Sequence, residues 1–395
     1  MFIDCDSHFL PRDAFEHVEG DLATKRPIIK FDDNGVLAGV EFAGCPSQVP
    51  GSSPVRSTGL GSGSKMQGLW DMAYRLREYD QMGIEAQVIL PQFGGWWNYL
   101  IDADLAIALA HSYNLAMLRV MREYPGKVYA VANVAAQDPK SAVKELEWAA
   151  QNDFRGGVVL DHTYPVKDHP FGVPTPCRRE LWPLFKRAAE LSMPVHFHPV
   201  QHGHRLRNLV HLQQDGIADF FLPPLIDHHL TVVACITSGL LDEYPGLSIV
   251  QSEMFTGFIP ELAQRMDRVH QELRALVQGN PLDVASAARA PGGGGNHLLL
   301  PMEQATAKNK LPPSHYFRNN FYWTIETEES GFADAVKFLG ANRFLFATDY
   351  PHDDPGGAMK YEDVRLLSTN DKLSEEDKRL IASANAVELF HLPVG

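Results

Sequence analysis

Acids and imidazoles recur at spacings that suit metal-assisted chemistry. Near the start, Asp6-Ser7-His8 sets a carboxylate and an imidazole two residues apart. On a strand, side chains at i and i+2 share a face, so this pair can grip one ion. His196-Phe197-His198-Pro199 repeats the spacing and stops at a proline, which cannot continue a ladder. His198 then stands at the carboxyl end, while His196, one layer lower, reads as a hydrogen-bonded interior residue. FLFATDYPH, from Phe344 to His352, reads as a buried strand that delivers Asp349 to an exposed edge. Gln251-Ser252-Glu253 ends a further apolar run on an acid. Carboxylates and imidazoles together suit zinc or manganese.

These groups meet only if the chain alternates strands with helices. Strands are expected at Phe2 to Asp6, Ala86 to Leu90, Val128 to Val134, Gly157 to Asp161, Pro194 to His198, Leu247 to Ser252, Asn320 to Thr324 and Arg343 to Thr348. Helices are expected between them, at Leu69 to Met82, Leu105 to Glu123, Pro139 to Asn152, Leu181 to Leu191, Leu230 to Glu243, Ile259 to Leu276 and Phe332 to Leu339. In the first, Leu69, Met72, Ala73 and Leu76 fall at helical spacing and Gly83 is placed to stop it. Such alternation implies an α/β fold with a parallel sheet, and eight units imply a (β/α)8 TIM barrel; a doubly wound open sheet is the competing fold. In a barrel, the ends of strands one, five, six and eight converge on the face where catalysis is found.

A small β-hairpin insertion after strand 1 is expected at Pro27 to Phe42, where Asn34-Gly35 supplies the turn. The first strand is expected to open the fold. Residues 1–395 read as a single domain, with insertions near 20–66, 200–228 and 280–318 that form long active-face loops. A last helix is expected after Ser374, with Asp377 three residues on.

A net charge of −14 argues against a phosphate-backbone binder, so no nucleic acid partner is expected. The start, MFIDCDSHFL, lacks a basic leader, and no apolar run approaches the roughly 20 residues that span a bilayer. A cytoplasmic protein with no membrane partner is the expectation. Cys5, Cys45, Cys177 and Cys235 are widely spaced without a CxxC, which indicates neither disulfides nor a thiolate zinc site.

DxH at Asp6 to His8, PVHFHP at Pro194 to Pro199, SGLLDEYPGLSIVQSE at Ser238 to Glu253 and FLFATDYPH together resemble the amidohydrolase superfamily. The likeness is to its amidohydrolase-related branch, typified by aminocarboxymuconate-semialdehyde decarboxylase. Gln264 to Asp267 and Asn385-Ala386 add to it, and it covers nearly the whole chain. It implies a distorted (β/α)8 barrel holding one divalent metal, with Asp6, His8, His198 and Asp349 as ligands. Zinc is the more common occupant of such barrels; manganese gains as histidine gives way to carboxylate. The implied function is a metal-dependent carboxy-lyase, a nonoxidative decarboxylase of a small aromatic or unsaturated carboxylic acid, with Asp349 as the acid that protonates the carbon losing carbon dioxide. The alternative is a hydrolase of an amide, lactone or carbon-carbon bond that uses a metal-activated water. A catalytically silent barrel would have substituted the rim acids, and all are present. Relatives are commonly homodimers or larger, which makes a homo-oligomer the expectation.

Two departures bear on mechanism. Many members carry His-x-His on strand one, where this chain has Asp6, and a histidine on strand six, where it has Glu253. Asp6 and Asp349 already neutralise a divalent ion if both histidines are neutral. An ionised Glu253 as a fifth ligand would leave a net negative site, unfavourable for an acidic substrate. Glu253 is therefore read as an acid/base or substrate contact, with an ion pair at the rim as its bland alternative. Arg205, in HPVQHGHRLRN, could hold a substrate carboxylate, or belong to a solvated basic loop. Trp96 could wall the substrate, or pack; His162, after strand four, stands where it could contact substrate. His352 is positioned to orient Asp349, and His211, His228 and His229 are assigned no role.

Overall fold

The helices begin where short acids allow them to. Asp71, Asp102 and Asp138 each accept a hydrogen bond from a backbone N–H of the first turn and start α1 (Met72–Met82), α2 (Ala103–Glu123) and α3 (Pro139–Gln151). Gly83, at φ 81°, ends α1 in the left-handed conformation that glycine adopts without strain. The chain then passes directly into strand Ala86–Pro91, whose six residues are all buried, as a strand covered on both faces requires.

The structure is a computed structural model that describes residues 1–42, 44–45, 67–92, 96–166, 169–198, 218–253, 255–278, 308–325, 327–352 and 362–393. Its strands are β1 (Ile3–Asp4), β2 (His8–Phe9), β3 (Ile28–Phe31), β4 (Leu37–Glu41), β5 (Ala86–Pro91), β6 (Val128–Ala130), β7 (Ala132–Asn133), β8 (Val158–Leu160), β9 (Thr163–Val166), β10 (His169–Pro174), β11 (Val195–Phe197), β12 (Ile249–Gln251), β13 (Phe321–Ile325) and β14 (Phe344–Phe346). The remaining helices are α4 (Trp182–Glu190), α5 (Ala218–Thr237), α6 (Leu240–Glu243), α7 (Ile259–Gln278), α8 (Pro313–Asn319), α9 (Phe332–Leu339), α10 (Asp363–Thr369), α11 (Glu375–Arg379) and α12 (Asn385–Leu389).

The fold is α/β with parallel sheets. One sheet runs β1-β5-β2 with β6 against β5; the other runs β14-β13-β12-β11-β8-β7. Backbone hydrogen bonds join them at both edges. Cys5 N donates to Phe346 O at 2.9 Å and His8 N to Tyr350 O at 2.7 Å, while Val131 N donates to Ile89 O at 2.9 Å. Strand alternation gives two cores. Val88, Leu90, Val159, Val250 and Leu345 face one, with Leu389 and Phe390. Ile89, Leu160, Phe197, Ile249 and Phe346 face the larger, which the helices cover with Leu109, Leu146 and Phe185.

Strands β3 and β4 pair antiparallel, with Gly35 at φ 74° between them. Ser374 and Asp377 make a complete capping box on α11. Helix α5 starts at Ala218, well before the expected Leu230, and carries His228 and His229 within it. The antiparallel pair β9–β10 was not foreseen. Arg205, His211, the segment Gly292 to Gly295 and most of the loops near 200–228 and 280–318 lie outside the described residues. No helix among the described residues is long and apolar enough to cross a membrane.

The approach of β8 to β11 depends on Gly157. Its φ is 89°, and a Cβ there would stand 2.0 Å from the Pro194 carbonyl oxygen. Gly157→Ala is expected to cost at least about 2 kcal/mol, since backbone strain and a main-chain clash add. Urea unfolding would show this as a lower midpoint.

Candidate metal centre

Each donor stands where a strand ends or breaks. Asp6 lies between β1 and β2, His8 opens β2, and His198 follows β11. Asp349 follows β14 with φ 52°, a left-handed turn held by its own N–H, which donates to Asp6 O at 2.8 Å. His8 Nε2 lies 3.3 Å from Asp349 Oδ1 and 3.9 Å from Asp6 Oδ1. The His8 and His198 rings meet edge to face with centroids 4.8 Å apart. Donor atoms of Asp6, His8 and His198 all lie within 4.8 Å of one another.

Asp6 Oδ1, His8 Nε2 and His198 Nε2 are buried and make no well-directed hydrogen bond, although carboxylate oxygens of Asp349 and Glu253 lie 3.3 and 3.2 Å from the two ring nitrogens. A bare buried polar atom is costly, and three converging ones need a shared partner. Ligands about 2.0–2.2 Å from one cation stand roughly 3–4 Å apart, and the 3.9 Å between Asp6 Oδ1 and His8 Nε2 fits one ion. Protonation agrees with that fit. Burial pushes His198 well down, helped by His8; burial also lowers His8, so both rings offer neutral lone pairs. Burial, with the charge of Asp349, pushes Asp6 well up. For Asp349, burial is outweighed by His352 and His8, which hold it well below the usual carboxylate range.

The surrounding groups fall into two sets. His352 Nδ1 is 3.0 Å from Asp349 Oδ1, its ring stacks on His8 at 4.4 Å, and its Nε2 faces the Gln92 amide at 3.2 Å. His8, Asp349 and His352 form a second group able to hold a cation. Glu253, at φ 55°, places Oε2 3.2 Å from His198 Nε2. Its N–H donates to Thr324 Oγ1 at 3.1 Å, and that hydroxyl donates to Asp6 Oδ2 at 3.0 Å. Thr324 thus fixes both acids, a role missed in the sequence although its place at the end of strand seven was a signal. His196 is wholly buried; its Nε2 donates to Gly156 O at 2.9 Å and its ring stacks on Phe390.

His162 belongs to neither donor group. Its Nδ1 pairs with Thr231 Oγ1 of α5 at 2.8 Å, and its ring lies against Phe197 and His228, on the helix side of the sheet. His228 Nδ1 donates to Gln251 Oε1 at 2.6 Å. Trp96 opens a short turn, but its side chain is not among those described. Trp97 is buried against Phe15.

Burial pushes His196 down to about 3. An unfolded imidazole titrates near 6.5, so below that pH the unfolded chain takes a proton that the folded chain refuses. Stability is therefore expected to fall as the pH drops from about 6.5 toward 3, by about 1.4 kcal/mol per pH unit for this one group. The urea midpoint of His196→Gln should change less than that of the unaltered chain between pH 6.5 and 5; equal slopes would contradict the assignment.

Comparison with known proteins places the chain in a family. The γ-resorcylate decarboxylase of Polaromonas sp. is 26% identical over 328 residues, 80% of this chain and 86% of that protein. That of Rhodococcus jostii is 25% identical over 327 residues, 80% of this chain and 87% of that protein. The crystal structure of 2,6-dihydroxybenzoate decarboxylase from Rhizobium superposes with a TM-score of 0.65 at 20% identity, covering 100% of this chain and 99% of that one. The 5-carboxyvanillate decarboxylase of Novosphingobium aromaticivorans, complexed with manganese and 4-hydroxy-3-methoxy-5-nitrobenzoic acid, gives 0.69 at 19% identity, covering 99% of this chain and 96% of that one. The family model described as amidohydrolase matches residues 3–392, nearly the full length, and the chain belongs to the amidohydrolase family.

Proposed function

We propose that the chain is a metal-dependent nonoxidative decarboxylase of a small aromatic carboxylic acid, built on a distorted (β/α)8 barrel with β3–β4 as an insertion after strand 1. The observation that carries this is a pair of donor groups that share His8, one with Asp6 and His198 and one with Asp349 and His352, with Glu253 beside His198, in a chain similar to γ-resorcylate decarboxylases. The hydrogen bonds across both sheet edges support closure of the barrel.

Asp6, His8, His198 and Asp349 would hold the cation. When bound, it would supply positive charge that anchors substrate oxygens and keeps a ring hydroxyl ionised, whose electron pair raises the density on the carbon to be protonated. Mixed oxygen and nitrogen donors suit zinc and manganese alike. Manganese in the 5-carboxyvanillate decarboxylase and in the Polaromonas dihydroxybenzoic acid decarboxylase weighs toward manganese here.

The remaining work belongs to the chain's own acids. The ring carbon bearing the carboxylate takes a proton, the bond to that carboxylate breaks, and carbon dioxide leaves with hydrogen in its place. Asp349 and Glu253 are the acids within reach of the centre, and His352 holds Asp349 in place through Nδ1. Glu253, beside His198, is proposed as the acid that supplies the proton at the rim. Arg205 and Trp96 are proposed to contact the substrate from the loops, and His162 to support the rim from the helix side. A homodimer is part of the proposal, and particle mass in solution tests it.

Manganese-loaded protein offered 2,6-dihydroxybenzoate should release carbon dioxide without taking solvent oxygen into the product. Incorporation of labelled oxygen with no gas would instead identify a hydrolase.

A further inference from the structure

Beneath the metal donors lies a buried charge that the reaction does not use. Arg75 of α1 is fully buried, and a guanidinium removed from water is tolerated only where its donors are met. Its Nη1 donates to the His8 carbonyl at 2.6 Å, Nε to Gln87 Oε1 at 2.6 Å and Nη2 to Tyr79 Oη at 2.9 Å. The guanidinium also lies over the Tyr350 ring, 4.5 Å from its centroid. Tyr350 is pinned in turn: its hydroxyl donates to Glu78 and fills the space where a Cβ on Gly68 would collide with it.

The Tyr79 hydroxyl passes the link onward, donating to Asp4 Oδ2 at 2.6 Å. Asp4, also fully buried, accepts from Thr348 Oγ1 at 2.6 Å, Thr348 N at 3.1 Å and Asp6 N at 3.2 Å. One polar chain therefore ends on the backbone of Asp6 and His8 on one side. On the other it ends on Thr348 and Tyr350, which flank Asp349. Asp349 itself has φ 52°, a conformation that persists only where its surroundings impose it.

We propose that Arg75 and Asp4, joined through Tyr79, are positioning residues that set the separation between Asp6 and His8 on strand one and Asp349 on strand eight. This rests on the metal centre proposed above. A network that only welded α1 to the sheet would affect folding and leave cation affinity alone; a network that spaces the donors affects affinity first, because ligands must be held to about 0.5 Å.

The test uses chelator-stripped protein titrated with Mn(II) alone, the free ion being followed by its paramagnetic resonance, with urea unfolding of the stripped proteins in parallel. Tyr79→Phe, which removes one oxygen, is expected to weaken Mn(II) binding by about 10–100-fold, the range for losing an outer partner of a metal ligand. Arg75→Lys should retain more affinity than Arg75→Met. Leu146→Ala, buried in the helix layer, should lower the urea midpoint and leave the affinity unchanged. If the Arg75 variants do not fold, Tyr79→Phe decides alone. Folded Tyr79→Phe that binds Mn(II) like the unaltered chain overturns the positioning role. Failure of the unaltered chain to bind Mn(II) overturns the metal centre, and this proposal with it.

Discussion

Asp349→Asn is expected to lower the rate of carbon dioxide release by about a thousandfold, as the loss of a carboxylate that would hold the cation and relay protons. The substitution keeps the side chain's shape and leaves untouched the backbone hydrogen bond from Asp349 N to Asp6 O. What it removes is charge. Asp349 Oδ1 lies between His8 Nε2 at 3.3 Å and His352 Nδ1 at 3.0 Å, and those two rings keep the carboxyl ionised against the pull of burial. An amide there halves the negative charge available to a divalent ion and ends proton exchange at that position. Steady-state gas release and circular dichroism would check the effect; full turnover in a folded Asp349→Asn protein would remove Asp349 from the mechanism.

The second large effect is expected at His8. Its side chain is 1% exposed, and it belongs to both groups of donors that could hold a cation. Its ring packs edge-on against His198 and face-on against His352, so its loss opens space at the centre as well as removing a nitrogen. His8→Ala should lower metal affinity by more than the roughly 10–100-fold that loss of an outer partner costs, and activity should go with it. Elemental analysis of purified protein checks this directly, with His352→Ala as the milder comparison. Equal metal content in His8→Ala and the unaltered chain would contradict the ligand set.

The clustering of Asp6, His8 and His198 was partly legible in the sequence, through spacing and through the family resemblance. Asp6 and His8, and His196 and His198, stand two residues apart at the ends of strands, and strand alternation fixes which of their neighbours share a face. Proline after His198 and after Tyr350 marked where those strands end. The same alternation explains His162. It shares a face with Leu160, which belongs to the core beneath the helices, so it turns to Thr231 of α5 although it sits at a strand's end.

What stayed hidden depends on long-range packing. Arg75 stands in YRLREYD, where charged residues on either side resemble a solvated helix face; the approach of His8, Gln87 and the distant Tyr350 makes it interior. Thr324 gains its role from Asp6 and Glu253 on other strands. The early start of α5 was obscured by Pro223-Pro224, which break the local helical signal, and β9–β10 by Pro165 and Pro170 within short runs.

The most direct measurement is anomalous scattering from a crystal of the manganese-loaded protein, recorded at the manganese edge. The account predicts a single strong peak within about 2.0–2.3 Å of carboxylate oxygens of Asp6 and Asp349 and of a ring nitrogen from each of His8 and His198, with Glu253 beside it. A peak held by His352 without Asp6 and His198, or no peak between the four side chains, would contradict it.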